Sequence, residues 1–318
     1  MIRQGSLSGA PRPAAPEQKS IPPLAWAGIA FLGIIWGGSF LSNALLLREL
    51  GVLTTVAERV TLAAFALWVY VIAARLPVPR SLTVWRDFTI MGVLNVALPF
   101  SLIVWAQQFV ASGLASIINA GTAIFGVLIA AIVFADERLT ARKATGVLLG
   151  FTGVATAIGI DALLAFDLSS KGQIALIGAT ISYGFGGAFA RARLTSFKPE
   201  VAAAGMLTGS AALMVPYALI VEGAPPLAMS LTTWAAMAYL SLIATSGAFL
   251  LYYRTMPIVG AGNQSLVTLL VSPVAIVIGA LVLDESLPTR AYAGFALLAL
   301  GLLMIDGRIL RLFKRTRP

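Results

Sequence analysis

The chain of 318 residues contains no cysteine and no histidine. Without Cys there is no disulfide, no thiolate nucleophile and no iron–sulfur ligand set. Without His, the commonest general base, proton shuttle and zinc or haem ligand is missing. Ser–His and Glu–His catalytic pairs are therefore impossible. Charge is scarce as well: 11% of the residues are Asp, Glu, Lys or Arg, against about 25% in a soluble domain, whose surface must face water. No Asp or Glu falls at mid-membrane depth in the apolar runs, where ion-coupled pumps commonly place a carboxylate. Nothing here calls for a cofactor or a metal, and an enzymatic reading finds no ionisable constellation to work with.

What fills the chain instead is apolar. Hydrophobic residues make up 59% and mean hydropathy is +0.92, so the outward surface must be solvated by lipid. The formal charge of +9 does not indicate nucleic acid, because the basic residues form no dense patch with interleaved aromatics. They sit between apolar runs. Residues 1–20, with Pro11, Pro13 and Pro16, read as a disordered tail; a cleaved signal peptide fits poorly, since the apolar run that follows lacks a small-residue cleavage site.

About 20 apolar residues cross the hydrocarbon core as a helix. Runs of that kind fall at 24–47, 53–75, 85–108, 112–134, 140–161, 171–191, 199–221, 232–254, 260–283 and 288–306. The expected fold is all-α, with ten transmembrane helices. Lys and Arg are retained on the cytoplasmic side during insertion. With the N-terminus inside, every basic residue except Arg48, Arg59, Lys171 and Arg290 falls on that side. Both termini are thus expected in the cytoplasm, including the basic tail 307–318, with the protein in the cell (inner) membrane.

The chain also repeats itself. Asp136-Glu137-Arg138-Leu139 recurs as Asp284-Glu285-Ser286-Leu287, and at the same offset Gly146 and Gly153 match Gly294 and Gly301. Trp36-Gly37-Gly38-Ser39-Phe40 recurs, one residue further along, as Phe185-Gly186-Gly187-Ala188-Phe189. The offset covers five spans, an odd number, so the second copy (171–306) is expected upside down relative to the first (21–161). Inverted repeats give two halves that rock about a midplane site.

These motifs resemble the EamA-type, ten-helix branch of the drug/metabolite transporter superfamily. Trp36-Gly37, Glu58-Arg59, Glu137-Arg138-Leu139-Thr140 with Gly146 and Gly153, and the second copy at Glu285, Leu287, Gly294 and Gly301 carry the resemblance. It covers roughly 24–306. It lacks the family's proline in the fourth helix, while the ninth keeps Pro273. The resemblance implies export of amino acids or related metabolites, and its aromatic amino-acid exporters are the nearest type. A membrane-embedded enzyme acting on lipid or peptide, and a channel or non-transporting scaffold, are the competing readings. No ring of like charge or repeated filter loop marks a channel. The expected partners are the bilayer and a small-molecule substrate, the protein being a monomer.

An amide or hydroxyl within hydrocarbon is costly unless paired, so polar residues deep in the spans should face the interior. The candidate substrate-binding set is Trp36, Ser39, Asn43, Asn95, Asn119, Thr122, Ser182, Tyr183, Ser246, Tyr253, Gln264 and Thr268. Ser272 is a further polar residue of this kind, and Trp105 and Tyr252 serve either for stacking or as interface-belt aromatics. Gly37, Gly38, Pro99 and Pro273 are candidate gating positions, with Pro216 a further kink. Glu137 and Glu285 read as carboxylates at helix starts, where the dipole favours them. Glu58 and Arg59 read as an anchor at the outer face rather than a substrate clamp, and Arg254 as a loop charge.

Overall fold

The computed structural model describes residues 21–110, 112–159, 161, 164, 166–167, 170–226, 228–283 and 288–306. The tails 1–20 and 307–318, and Glu285 with its neighbours 284–287, lie outside the described residues. Helix follows helix: α1 (Pro23–Leu46), α2 (Val52–Ala73), α3 (Leu82–Ala106), α4 (Leu114–Val133), α5 (Ala141–Ile158), α6 (Lys171–Arg193), α7 (Pro199–Val221), α8 (Leu231–Val259), α9 (Ala261–Gln264 running into Val267–Leu283) and α10 (Thr289–Asp306). Among the described residues, 8 helices are long and apolar enough to cross a membrane. The exceptions are α5, which opens on Arg142 and Lys143, and α10, whose apolar stretch Thr289–Ile305 is shorter.

Lipid tails are as apolar as leucine, so these helices associate by close packing at small residues rather than by escape from water. A Cβ on Gly153 would lie 2.7 Å from the Gly294 carbonyl, and one on Gly146 would lie 2.8 Å from that of Gly301. The four repeated glycines thus meet each other, locking α5 against α10. Likewise Gly33 admits Leu270 and Gly37 admits Val274, seating α1 on α9. Large side chains such as Phe31, Phe65, Ile72, Ile132 and Ile220 are turned outward, as a lipid-facing surface requires.

Two apolar cores flank the middle of the bundle. One gathers Leu32, Val56, Met206 and Met237; the other gathers Ile117, Leu176, Leu269 and Leu298. At one end Glu49, in the α1–α2 turn, accepts from the Ser230 N–H at 2.9 Å. There Glu222, just past α7, accepts from the N–H groups of Leu53 and Thr54 at 3.0 and 2.8 Å. At the other end lie the α4–α5 loop and the facing ends of α3, α6, α7, α8 and α9, which carry ion pairs described below. We call this the basic end.

Candidate functional site

Between the two cores lies a cavity with an empty volume of about 900 Å³, counted out into solvent at its mouth. Helices from both halves of the chain line it. Nine of the twelve expected residues are there: Trp36, Ser39, Asn43, Asn95, Asn119, Thr122, Tyr183, Gln264 and Thr268. Ser182, Ser246 and Tyr253 do not line it. Their side chains bond to the Leu94 carbonyl, to the Ala63 and Ser241 carbonyls, and to the Met206 sulfur respectively. Ser272 bonds the Ser116 carbonyl at 2.9 Å.

The backbone explains why the site sits at this depth. Both α3 and α8 change to π-helix midway, at Val93–Ala97 and Tyr239–Gly247. In α3 the Leu98 N–H goes to Val93 rather than Leu94, and in α8 the Ala248 N–H goes to Ile243 rather than Ala244. Each shift loosens one carbonyl from its usual i+4 donor, and the opposite half of the chain takes it up. Ser182 donates to Leu94 at 2.7 Å. The Trp36 indole donates to Ala244 at 2.9 Å, and Arg59 reaches the same oxygen at 3.5 Å. π-Turns commonly mark functional sites. In α3 the cause is local: Pro99 has no N–H and its ring crowds Asn95, four residues back. In α8 no proline intervenes, but the Thr245 and Ser246 hydroxyls bond back to Leu240 and Ser241, competing with the backbone for those carbonyls.

The walls are aromatic. Trp36 meets Phe249 edge-on at 6.2 Å and Tyr252 at 6.3 Å, and Phe249 meets Tyr252 at 6.1 Å. Tyr252, which sequence left between belt and site, is buried and lines the cavity. Among the described residues, five that line it keep a buried polar atom without a partner: Ser39 Oγ, Asn43 Oδ1, Asn119 Oδ1, Thr122 Oγ1 and Gln264 Nε2. Asn43 also donates to Gln107 at 3.1 Å, whose amide reaches the Phe40 carbonyl. Gly37 and Gly38 do not line the cavity. A Cβ at Gly38 would meet the Tyr239 hydroxyl at 2.6 Å, and that hydroxyl donates to the Ile35 carbonyl.

Arg59 departs from the sequence reading. It is no membrane-face anchor: 4% exposed, it lines the cavity. Its Nε donates to Thr245 Oγ1 at 2.7 Å, and its guanidinium lies 3.9 Å from the centre of the Phe100 ring. The missed signal was depth. At 1.5 Å per residue, seven residues into α2 is about 10 Å below the helix start, and an ionisable residue there marks function. Arg254 is not in a loop: it lies within the last two turns of α8, pairing with Glu200 at 2.6 Å with its side chain 57% exposed.

At the basic end Glu137 is 5% exposed. The start of its own helix is capped by Thr140 instead, which accepts from the Lys143 N–H. Glu137 caps α9, accepting from the N–H groups of Ala261 and Gly262 at 2.7 and 2.8 Å. Arg191 from α6 bonds it directly, and the buried Lys143 ammonium lies 3.8 Å away. Gly260, at φ +81°, makes the turn into α9, and a Cβ there would lie 2.5 Å from the Glu137 carboxylate. Asp136 bonds Arg191 as well; that hydrogen bond, despite slight burial, holds its pKa below the ordinary value. Among the described residues no group of three or more His, Cys, Asp or Glu forms a metal site.

The family model described as "EamA-like transporter family" matches the chain twice, over residues 24–159 and 170–306. The chain belongs to the EamA-like transporter family. It is a two-repeat, multi-pass membrane protein. Among similar proteins, an Escherichia coli (strain K12) "Probable amino-acid metabolite efflux pump" is 26% identical over 279 residues, covering 85% of this chain and 90% of that protein. A Streptantibioticus cattleyicolor "Probable terminal-alkyne amino-acid exporter" is 26% identical over 287 residues, covering 90% and 94%. An "Uncharacterized transporter" of Archaeoglobus fulgidus is 22% identical over 284 residues, covering 88% and 98%. A solved structure described only as "Crystal structure of protein" superposes with a TM-score of 0.70 at 17% identity, covering 91% of this chain and 98% of that one. That likeness concerns the fold alone.

Proposed function

We propose that the protein exports amino acids or closely related small metabolites, with aromatic amino acids the favoured substrates, by alternating access. The observation that carries this reading is the central cavity: both halves of the chain contribute to it, its wall is aromatic, and several of its polar atoms lack a protein partner. A flat apolar side chain fits against Trp36, Phe249 and Tyr252. Ser39, Asn43, Asn95, Asn119, Thr122, Tyr183, Gln264 and Thr268 supply the polar contacts that orient it. Ser182, Ser246 and Tyr253 support the wall from behind.

In this reading residues 21–161 and 171–306 are inverted repeats, both termini are cytoplasmic, and the basic end faces the cytoplasm. The contacts at both ends join one repeat to the other: Glu137 to α9 and Arg191, Glu49 to Ser230, and Glu222 to α2. Rocking of one repeat on the other breaks one end's ties while keeping the other's. Glu137 is then the cytoplasmic latch, and Pro99 and Pro273 are points about which α3 and α9 bend. The two relatives named for amino acids support the substrate class.

The test is counter-flow in liposomes. Purified protein exchanging labelled phenylalanine, tyrosine and tryptophan faster than smaller amino acids is the expected result. No exchange with any member of a broad amino-acid and metabolite panel overturns the proposal.

A further inference from the structure

We infer that Arg59 is the carboxylate anchor of the central cavity, so that a substrate's carboxylate is obligatory while its amino group is dispensable. The inference rests on the transport reading above and adds to it a ligand chemistry and a residue.

A guanidinium stays charged in any protein environment, and Arg59 is 4% exposed. Among the described residues, none of the six ion pairs includes it, and no Asp or Glu lines the cavity. Its protein contacts are neutral: a threonine hydroxyl, a distant carbonyl and the face of Phe100. Among the described residues the fork makes no further hydrogen bond beyond those to Thr245 and Ala244. A buried cation lacking a counter-charge is costly, and the structure leaves this one beside an open cavity. An anion entering that cavity supplies the missing charge.

Geometry and charge select the anion. The planar fork matches the two oxygens of a carboxylate in parallel hydrogen bonds. One cation balances one negative charge. Among the described residues no second Arg and no Lys lines the cavity, so a phosphate dianion would remain uncompensated. An ammonium group finds no carboxylate to pair with, and it shares the cavity with a like charge. What it is offered is the uncharged oxygen of Asn43 or Asn119 and the aromatic faces. Such contacts accommodate an ammonium without requiring one. The apolar body then lies along Trp36, Phe249 and Tyr252.

The competing role for Arg59 is structural, since it ties α2 to Thr245 in the π-turn of α8. The experiment must separate the two. Wild-type protein in liposomes is tested with phenylalanine, N-acetylphenylalanine, 3-phenylpropionate, phenylalaninamide and phenethylamine, as substrates and as competitors. The three carboxylates should act within a few-fold of one another, while the amide and the amine fall by about tenfold or more, as the loss of a charge-assisted pair implies. R59K and R59Q are then compared, with monodispersity and thermal unfolding checked in detergent. R59K should retain weakened carboxylate exchange; R59Q should lose the discrimination between 3-phenylpropionate and phenethylamine.

Equal handling of acids and amines by the wild type, or undiminished discrimination in a folded R59Q, overturns the anchor and leaves the transport reading standing. If no compound is exchanged, the transport reading falls, and binding decides the anchor by itself. 3-Phenylpropionate should raise the unfolding temperature of the wild type and phenethylamine should not; a shift with neither, or with both, overturns it. If neither Arg59 variant folds, the wild-type series alone decides.

Discussion

The two ends of the molecule are held by different means. At the basic end Glu137 is buried under two cations and two backbone N–H groups, and Arg86, Asp87, Arg193, Glu200 and Arg254 add ion pairs around it. At the opposite end no ion pair occurs among the described residues. There Glu222 reaches the start of α2, whose own cap is a glycine, and Glu49 reaches Ser230 at the start of α8. Both ends use a carboxylate on a helix N-terminus borrowed from the other half, where the dipole and unpaired N–H groups favour it. Only one end adds buried counter-charges. A carboxylate facing solvent exchanges its protein partners for water at small cost, whereas a buried one strands its cations. The opposite end should therefore part more readily than the basic end.

The sharpest break of that contrast is Glu137→Ala. It uncaps α9 and leaves Lys143, 2% exposed, without its counter-charge. Removing one partner from a buried pair costs about 3–5 kcal/mol, read as a lower unfolding temperature in detergent and as gained protease or label access at the basic end. Stability within about 0.5 kcal/mol of wild type would show that the cluster holds nothing. Arg191→Lys comes next. Arg191 bridges Asp136 and Glu137 while lying over the Phe134 ring at 4.3 Å. A lysine keeps the charge but reaches one carboxylate at a time, for an expected loss of about 1–2 kcal/mol by the same measurement.

The opposite end yields a smaller effect with a pH signature. Burial alone would raise the Glu222 pKa, but hydrogen bonds from Leu53, Thr54 and Val52 outweigh it and hold the carboxyl below its ordinary value. With a folded pKa depressed in this way, the stabilisation is present above the unfolded value of about 4.3 and is lost as pH falls through the folded one. Glu222→Gln should cost about 1 kcal/mol near pH 7, the usual worth of a helix cap. The gap from wild type should close on acidification below pH 4. A gap that persists unchanged in acid would mean the carboxylate's charge is not what matters.

The helical architecture was legible because lipid imposes it: each span had to be a long apolar run closing its own backbone hydrogen bonds. The repeated glycines were legible as packing points, and the structure brings them together in reciprocal pairs on α5 and α10. The cavity was legible through its uncharged polar residues, since an amide at depth has to face inward. What sequence concealed depended on backbone detail. Ser182 and Ser246 look like Ser39 in sequence, yet in the structure their hydroxyls are spent on carbonyls at or near the π-turns. Pro99 marks the turn in α3, but no proline marks the one in α8. Arg59 was hidden differently, by Glu58 beside it: adjacent opposite charges read as a surface pair, but neighbours on a helix point about 100° apart, as 3.6 residues per turn dictates. One turned to the cavity and the other did not.

The smallest effect concerns Arg254 and Glu200, and it tests whether the basic end is held by its number of ion pairs or by burial. Their contact at 2.6 Å is as close as others in the cluster, but the Arg254 side chain is 57% exposed against 10% for Glu200, and both residues belong to the second half. A pair with only one exposed member gains little when water solvates the freed guanidinium and the carboxylate stays in the first turn of α7, where the helix dipole favours it. Arg254→Ala should thus cost less than about 1 kcal/mol, and it should leave label access at the basic end as in wild type. A loss approaching that of Glu137→Ala would move the source of the asymmetry from one buried carboxylate to the basic face as a whole, and the opposite end would then differ from it only in charge count.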